Sequence, residues 1–577
     1  MRPLFSACLL IISLGISAQS LRTKFEQTNG QETPTYQEIV SWWRMLDKQS
    51  TQVKMLTMGA TDAAYPLHLV MVSSDRDFNP LSLRQKNKRI ILIINGIHPG
   101  EPDGIDASML LVRDIVQKKF SLPANVVLAI IPVYNIGGCL DRSANYRVDQ
   151  NGPREFGFRG NSQNLDLNRD FIKCDSRDAR SFAEIFHFCD PDVLVDNHVS
   201  NGADYQHVMT LIASQHNKLG GSMGEFMNRA FEPGLYRLMK EKGYDLVPYV
   251  NSFTDTPKNG WPEFLEGPRY SSGYASLWHT FAFVPETHML KPYDQRVDAT
   301  YKLMESFIEF TGTNSDTIKS LREQAKMRVK QQQEFAINWT LNRESYTEIP
   351  FKGYDSEMKK SAVSGLPRLY YDRSKPYETK VKFFNSYQAK TIVKKPAAYA
   401  IPQGWWKVIE LLKLNRVKMV PLAKDTVIEV EAYRISDYKS AARPFEGHHL
   451  NSEVSFTPTL KKVQFRKGDY IIPLDQAANR FVVEVLEPHA PDSYFAWNFF
   501  DGILGQKEGF SAYAFEDTAA EWLEQNPELK AELETQKASD SAFANNGSAQ
   551  LNFIYQHSPY YEPAHMNYPV YRIIYSQ

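Results

Sequence analysis

His98 and Glu101 in NGIHPGEPDG, His198 in VDNHVS and Glu286 in FVPETHM are the residues of this chain best suited to chemistry. Two histidines and one carboxylate can hold a zinc ion and leave a coordination position open for water. A further carboxylate nearby is what such a site needs as a general base. Between them, FRGNSQNLDLNRDF (158–171) is dense in groups that bind anions. Together they point to a zinc-dependent hydrolase with an anionic substrate. Taken singly they prove little. The chain has 13 histidines, enough for about one HxxE pair by chance. His98–Glu101 stands out because it follows an apolar run, in a Pro-Gly loop that opens a helix, where side chains three apart can converge. A capping Glu and a surface His are the bland alternative for that pair. His198 alone reads as a hydrogen-bonded histidine, and Glu286 alone as a surface carboxylate. Their joint occurrence, in order, around 158–171 shifts the balance.

The elements that must position them are legible. RIILIINGI (89–97), NVVLAIIPVYN (125–135), DVLVDNHVS (192–200) and HTFAFVPET (279–287) are apolar runs of the kind found in buried strands, with YPLHLVMVS (65–73) as another. TYQEIVSWWRMLDK (35–48), DASMLLVRDIVQKKF (106–120) and DARSFAEIFHF (178–188) have helical spacing, the first behind Thr35 as a cap. Strands alternating with helices predict an α/β fold over 30–315: a mixed, largely parallel central sheet with helices on both faces. His98, His198 and Glu286 each sit where an apolar strand runs out, the edge at which open α/β sheets bind ligands. A charged helical linker is expected over 316–344. Beyond it, KVKFFNS, TVIEVEAYRI, VQFRKGDYIIPL, RFVVEVLEP and VYRIIYS read as strands, with helices around 405–414 and 517–536. Residues 345–577 are thus expected to form a β-rich α+β module.

Composition bounds the partners. The chain has 577 residues, 42% hydrophobic and 23% charged, with a formal net charge of −1, as an ordinary globular protein does. No basic run or patch suggests nucleic acid. MRPLFSACLLIISLGISAQS has the layout of a signal peptide cut after Ala18, leaving no further membrane-spanning segment. An exported protein, periplasmic or extracellular, is expected. Cys139, Cys174 and Cys189 remain in the mature chain; one Cys174–Cys189 bridge or three inert buried thiols would suit them. The aromatic strings Trp405-Trp406 and SYFAWNFFDG (493–502) are expected to pack against the first domain, not to bind ligand.

The segment 158–171 resembles the signature of zinc metallocarboxypeptidases, in which an Arg lies ten residues ahead of an Asn-Arg pair within DLNRxF. HxxE upstream, a His after a strand downstream and a late Glu occur here in the family's order, over residues about 30–310. The resemblance implies one zinc ion per chain, held by His98, Glu101 and His198. It gives Glu286 the proton of the attacking water, to be delivered to the leaving amine. Arg159 would polarise the scissile carbonyl, Asn168 and Arg169 would hold the substrate's terminal carboxylate, and Asp166 would orient a zinc-bound imidazole. Tyr270 is preferred to Tyr274 as the family's mobile tyrosine. Arg142, Arg147 and Arg154 precede Arg159 but lack its RGN context. His207, His279 and His288 are expected to be structural, although His288 lies two residues from Glu286. The implied substrate is a peptide or peptide-like molecule with a free carboxylate. The alternative is a zinc amidase or deacylase acting on peptidoglycan stem peptides or acylated amino acids; a non-catalytic binding protein on a hydrolase fold is a third reading. Side-chain preference is expected to be set within 245–275, and the oligomeric state stays open.

Overall fold

The structure, a computed structural model, describes residues 21–252 and 255–574; the signal peptide expected over 1–18 lies outside them. Thr35 caps α1 (Tyr36–Gln49) through a capping box with Glu38, satisfying two backbone N–H groups that a helix start leaves bare. Then come β1 (Val53–Ala60), β2 (Pro66–Val72), β3 (Arg89–Ile94), α2 (Asp103–Val116) and β4 (Val126–Ile131). α3 (Arg177–Cys189), β5 (Val193–Asp196), β6 (His198–Ser200), β7 (Met209–Ala213) and β8 (Val247–Pro248) follow. α4 (Ser271–Leu277), β9 (Phe281–His288), α5 (Tyr293–Thr313) and α6 (Ser315–Gln331) complete the first half.

The nine strands form one mixed, mostly parallel sheet in the order β1-β2-β4-β3-β5-β9-β7-β8, with β6 also pairing β9. β3, β4 and β5 are buried throughout, because side chains alternate between two covered faces. Ile91, Ile93, Val193, Val195, Phe281 and Phe283 pack with α1, α2 and α5. Ile90, Leu92, Ile94, Leu194 and Ala282 face the other way, onto α3 and α4.

This second core does not stop at the helices. Beyond α6 come β10 (Glu334–Leu341), β11 (Thr347–Lys360), β12 (Pro367–Phe384) and β13 (Tyr387–Lys394). β10 pairs antiparallel with β13, and β11 with β12 as a long ribbon. The expected linker over 316–344 is therefore helical only to Gln331 and then a strand. β14 (Ala398–Ile401), α7 (Trp406–Leu414), β15 (Thr426–Ser440), β16 (Asn451–Phe465), β17 (Tyr470–Pro473), α8 (Asn479–Leu486), α9 (Ala512–Gln525), α10 (Pro527–Ser539) and β18 (Tyr571–Ile573) follow. Val408 and Leu411 of α7, Phe481 and Val482 of α8, and Trp497 belong to the same core as α3 and α4. The Trp278 and Phe481 rings lie 5.0 Å apart across that seam.

RFVVEVLEP, expected as a strand, is instead α8. All of its residues but Arg480 are buried, and its short length and run of β-branched valines suggest the wrong element. The string 493–502 packs as expected: Tyr494, Phe495 and Trp497 are buried, and Lys173 and Arg269 of the first half reach the Trp497 ring. Cys139, Cys174 and Cys189 are free, buried thiols, so the Cys174–Cys189 bridge does not form.

Candidate active site

His98, Glu101 and His198 meet beyond the carboxyl ends of β3 and β5. β3 ends at Ile94, and the loop to α2 carries His98 and Glu101. Two glycines allow this loop its tight course. A Cβ on Gly100 would stand 2.8 Å from Arg147 Cδ, and one on Gly104 2.6 Å from Asn197 Cβ; the start of α2 thus sits against the turn that leads to His198. β5 ends at Asp196, and His198 opens β6. Glu286 on β9 is the register partner of His198 in the parallel β6–β9 pair, so their side chains stand next to each other on one face.

One ligand atom from each of His98, Glu101 and His198 falls within 4.8 Å of the others, the single such trio among the described residues. His98 Nδ1 is 3.3 Å from Glu101 Oε1, and His198 Nδ1 is 3.1 Å from Glu101 Oε2. The opposite ring nitrogens face aspartates: His98 Nε2 lies 2.9 Å from Asp166 Oδ1, and His198 Nε2 lies 3.0 Å from Asp196 Oδ2. A carboxylate behind each imidazole fixes the tautomer that presents Nδ1 forward. His98 Nδ1 is buried without a hydrogen-bond partner, as a ligand nitrogen facing a cation position would be. This donor set can hold a divalent ion.

The electrostatics agree. Burial pushes Glu101 up, but Arg147 and the two histidines outweigh it and hold the carboxyl well below its usual range. Burial disfavours charge on His198, yet Asp196 and Glu101 hold it well above the usual imidazole value. The cluster therefore favours a positive charge at its centre. Glu286 lies at the wall of the same cleft. Burial pushes its carboxyl up to about 8, with Glu101 and Glu266 adding to the rise against His198 and Arg159.

The segment 158–171 forms the opposite wall. Asp166 Oδ1 accepts from the Asn168 N–H at 2.9 Å, capping the short turn Leu167–Arg169, and Oδ2 accepts from Arg159 Nε at 3.0 Å, with Nη2 2.8 Å away in the same ion pair. Burial opposes its charge, but His98, Arg159 and Arg169 hold it far below the ordinary carboxylate range. Arg159, Asn168 and Arg169 line a cleft of about 320 Å3 with the trio and Glu286. The Arg169 guanidinium sits 4.5 Å over the Tyr270 ring, and Tyr270 lines the cleft too, whereas Tyr274 is buried with its hydroxyl donating to Asn415.

Of the remaining sequence candidates, Arg147 belongs here: its Nη1 donates to Glu101 Oε1 at 2.7 Å. Arg142 and Arg154 turn away, to Pro34 and Glu32. His207 accepts from Lys352 N–H, His279 lies against the Ala477 carbonyl and His288 against the Ala203 carbonyl, so all three act in packing. Sequence reading missed Tyr249, Phe264 and Glu266, which also line the cleft. It missed Glu446 as well, whose carboxylate accepts from the Asp166 N–H at 2.7 Å. They share no motif with the trio, and only the expectation that side-chain preference is set within 245–275 bears on Tyr249, Phe264 and Glu266. A second cavity of about 520 Å3, lined by Lys218, Arg328, Trp339 and Arg480, holds none of the candidate residues.

Residues 39–217 match the family model described as zinc carboxypeptidase. No curated protein matches the chain. Among solved structures, a metallo-carboxypeptidase from Burkholderia cenocepacia is similar at 14% sequence identity and TM-score 0.36, over 48% of this chain and 69% of that one. A metallo-carboxypeptidase from Pseudomonas aeruginosa in complex with (2-guanidinoethylmercapto)succinic acid gives 13%, 0.37, 48% and 68%. Carboxypeptidase A from Helicoverpa armigera gives 13%, 0.35, 49% and 73%. The matched stretch contains His98, Glu101, Arg159, Asp166, Asn168, Arg169 and His198, while Tyr270 and Glu286 lie beyond it. Over residues 39–217, then, this chain resembles the zinc carboxypeptidase family.

Proposed function

We propose that the cleft is the active site of an exported zinc carboxypeptidase, carried by a catalytic unit over 30–315 and flanked by a β-rich module over 345–577. The observation that carries this reading is the convergence of His98 Nδ1, His198 Nδ1 and Glu101 beside Glu286, the register partner of His198. One zinc ion on the trio would supply a Lewis acid for the scissile carbonyl and for water. Asn168 and Arg169 hold the terminal carboxylate of a peptide, the guanidinium fork matching a planar anion, with the Tyr270 ring bracing the arginine. That anchor sets the last peptide bond against Glu286. Glu286 takes a proton from water as the oxygen adds to the carbonyl carbon. It returns that proton to the amide nitrogen as the C–N bond breaks. Arg159, half-exposed on the cleft wall, stabilises the negative charge that develops on the carbonyl oxygen.

The test is a pair of peptides differing only at the C-terminus, free acid against amide, given to zinc-loaded protein. Loss of the last residue from the acid alone is the expected result. Equal cleavage of both, or attack at an internal bond, would remove Arg169 from its role and the reading with it.

A further inference from the structure

Glu266 is an acid for which the reaction above has no use. It lies at the cleft with the metal trio, yet it is 6% exposed. Among the described residues its carboxylate has no ion pair, and Oε2 is buried without any hydrogen-bond partner. The nearby cations are engaged elsewhere. Lys218 Nζ donates to the Glu266 main-chain carbonyl at 2.6 Å, not to the carboxylate, and Arg169 donates to the Asn168 carbonyl and covers Tyr270. His198 turns its ring nitrogens to Glu101 and Asp196. The two acids behind the shared wall of Ile212, Tyr249 and Phe264 differ: Glu232 accepts from the Tyr236 hydroxyl and Glu263 from Gln215. Glu266 alone is bare. A buried, unpartnered carboxyl carries a cost that a protein tolerates where a ligand removes it.

Resting on the carboxypeptidase reading, we infer that Glu266 receives the side-chain cation of the substrate's last residue, so that the enzyme prefers peptides ending in lysine or another basic residue. The wall suits that side chain. Ile212, Tyr249 and Phe264 offer apolar and aromatic surface to an alkyl stem, while its charged head reaches the carboxylate. Arg169 and Glu266 would then read the two ends of the same residue, main-chain carboxylate and side-chain cation.

The test compares two peptides identical except for a C-terminal lysine or norleucine, which keeps the alkyl stem and removes the amine. With zinc-loaded, full-length protein, kcat/KM should favour lysine on the order of a hundredfold, and the ratio should fall toward one in Glu266→Gln. Equal turnover of the two peptides by the unaltered protein overturns the inference, as does a ratio unchanged in the variant. The first comparison needs no substitution, so a variant that misfolds leaves it readable. If neither peptide is cleaved, the carboxypeptidase reading fails, and calorimetric titration with free lysine and norleucine still decides the pocket. Tighter binding of lysine, lost in Glu266→Gln, supports it; equal binding by the unaltered protein overturns it.

Discussion

The two ends of β5 carry buried charge in opposite ways. At the amino end, Asp192 uses all of its accepting capacity. Oδ1 accepts from Arg89 and Arg322, and Oδ2 from Arg84 and the Ile90 N–H. At the carboxyl end, four residues later, Asp196 Oδ1 is buried without a hydrogen-bond partner, as is His98 Nδ1, and a cleft opens there. Both ends are polar, buried and held by the same sheet. What separates a structural charge from a functional one is completeness. A satisfied cluster tightens the fold, whereas an unsatisfied one facing a cavity awaits something.

Substitutions can break that contrast. The largest effect is expected from His98→Ala: bound metal, read by elemental analysis, and activity should both vanish, while the far-ultraviolet circular dichroism stays native. Next, Glu286→Gln should keep its metal and lose about 10² to 10⁴ in kcat, the range for a general base; turnover equal to the unaltered protein's would move the base elsewhere. Asp192→Asn tests the other end. Three arginines would lose their shared counter-charge at a site 1% exposed, which costs about 3–5 kcal/mol of stability in denaturant titrations, with kcat/KM on any cleaved peptide retained. If that substitution cost activity but not stability, the two ends would not differ as argued.

The smallest effect is graded and appears with acid. Burial opposes ionisation of Asp190 and Asp192, but Arg322 and Lys326 around the first, and Arg84, Arg322 and Arg89 around the second, hold both carboxyls below their ordinary value. The unfolded chain then binds more protons than the folded one. Their stabilisation is full above the ordinary aspartate pKa of about 4 and is lost as pH falls toward the folded values. Melting temperature should therefore drop below that pH, and the drop should be smaller in Asp192→Asn.

Much of this was legible in the residues. The strands that run out at His98, His198 and Glu286 announce a sheet edge, and Arg159 and the Asn168-Arg169 pair lie on the wall facing it, because apolar runs and local motifs encode short-range structure. Contacts set by tertiary packing were not legible. Arg147 reaches Glu101 across 46 residues, and Glu446 reaches Asp166 across 280; no spacing rule covers either. α8 was misread because its eight residues are short enough for a strand and are dominated by β-branched valines.

The core shared by α3, α4, α7 and α8 has one further consequence. During synthesis, the first half leaves the ribosome with a face of its sheet layer still waiting for Val408, Phe481 and Trp497. Greasy surface of that extent invites aggregation until the remaining chain arrives. A protein cut after Gln331 should accordingly precipitate or require a chaperone, and the intact chain should give one calorimetric transition across both halves.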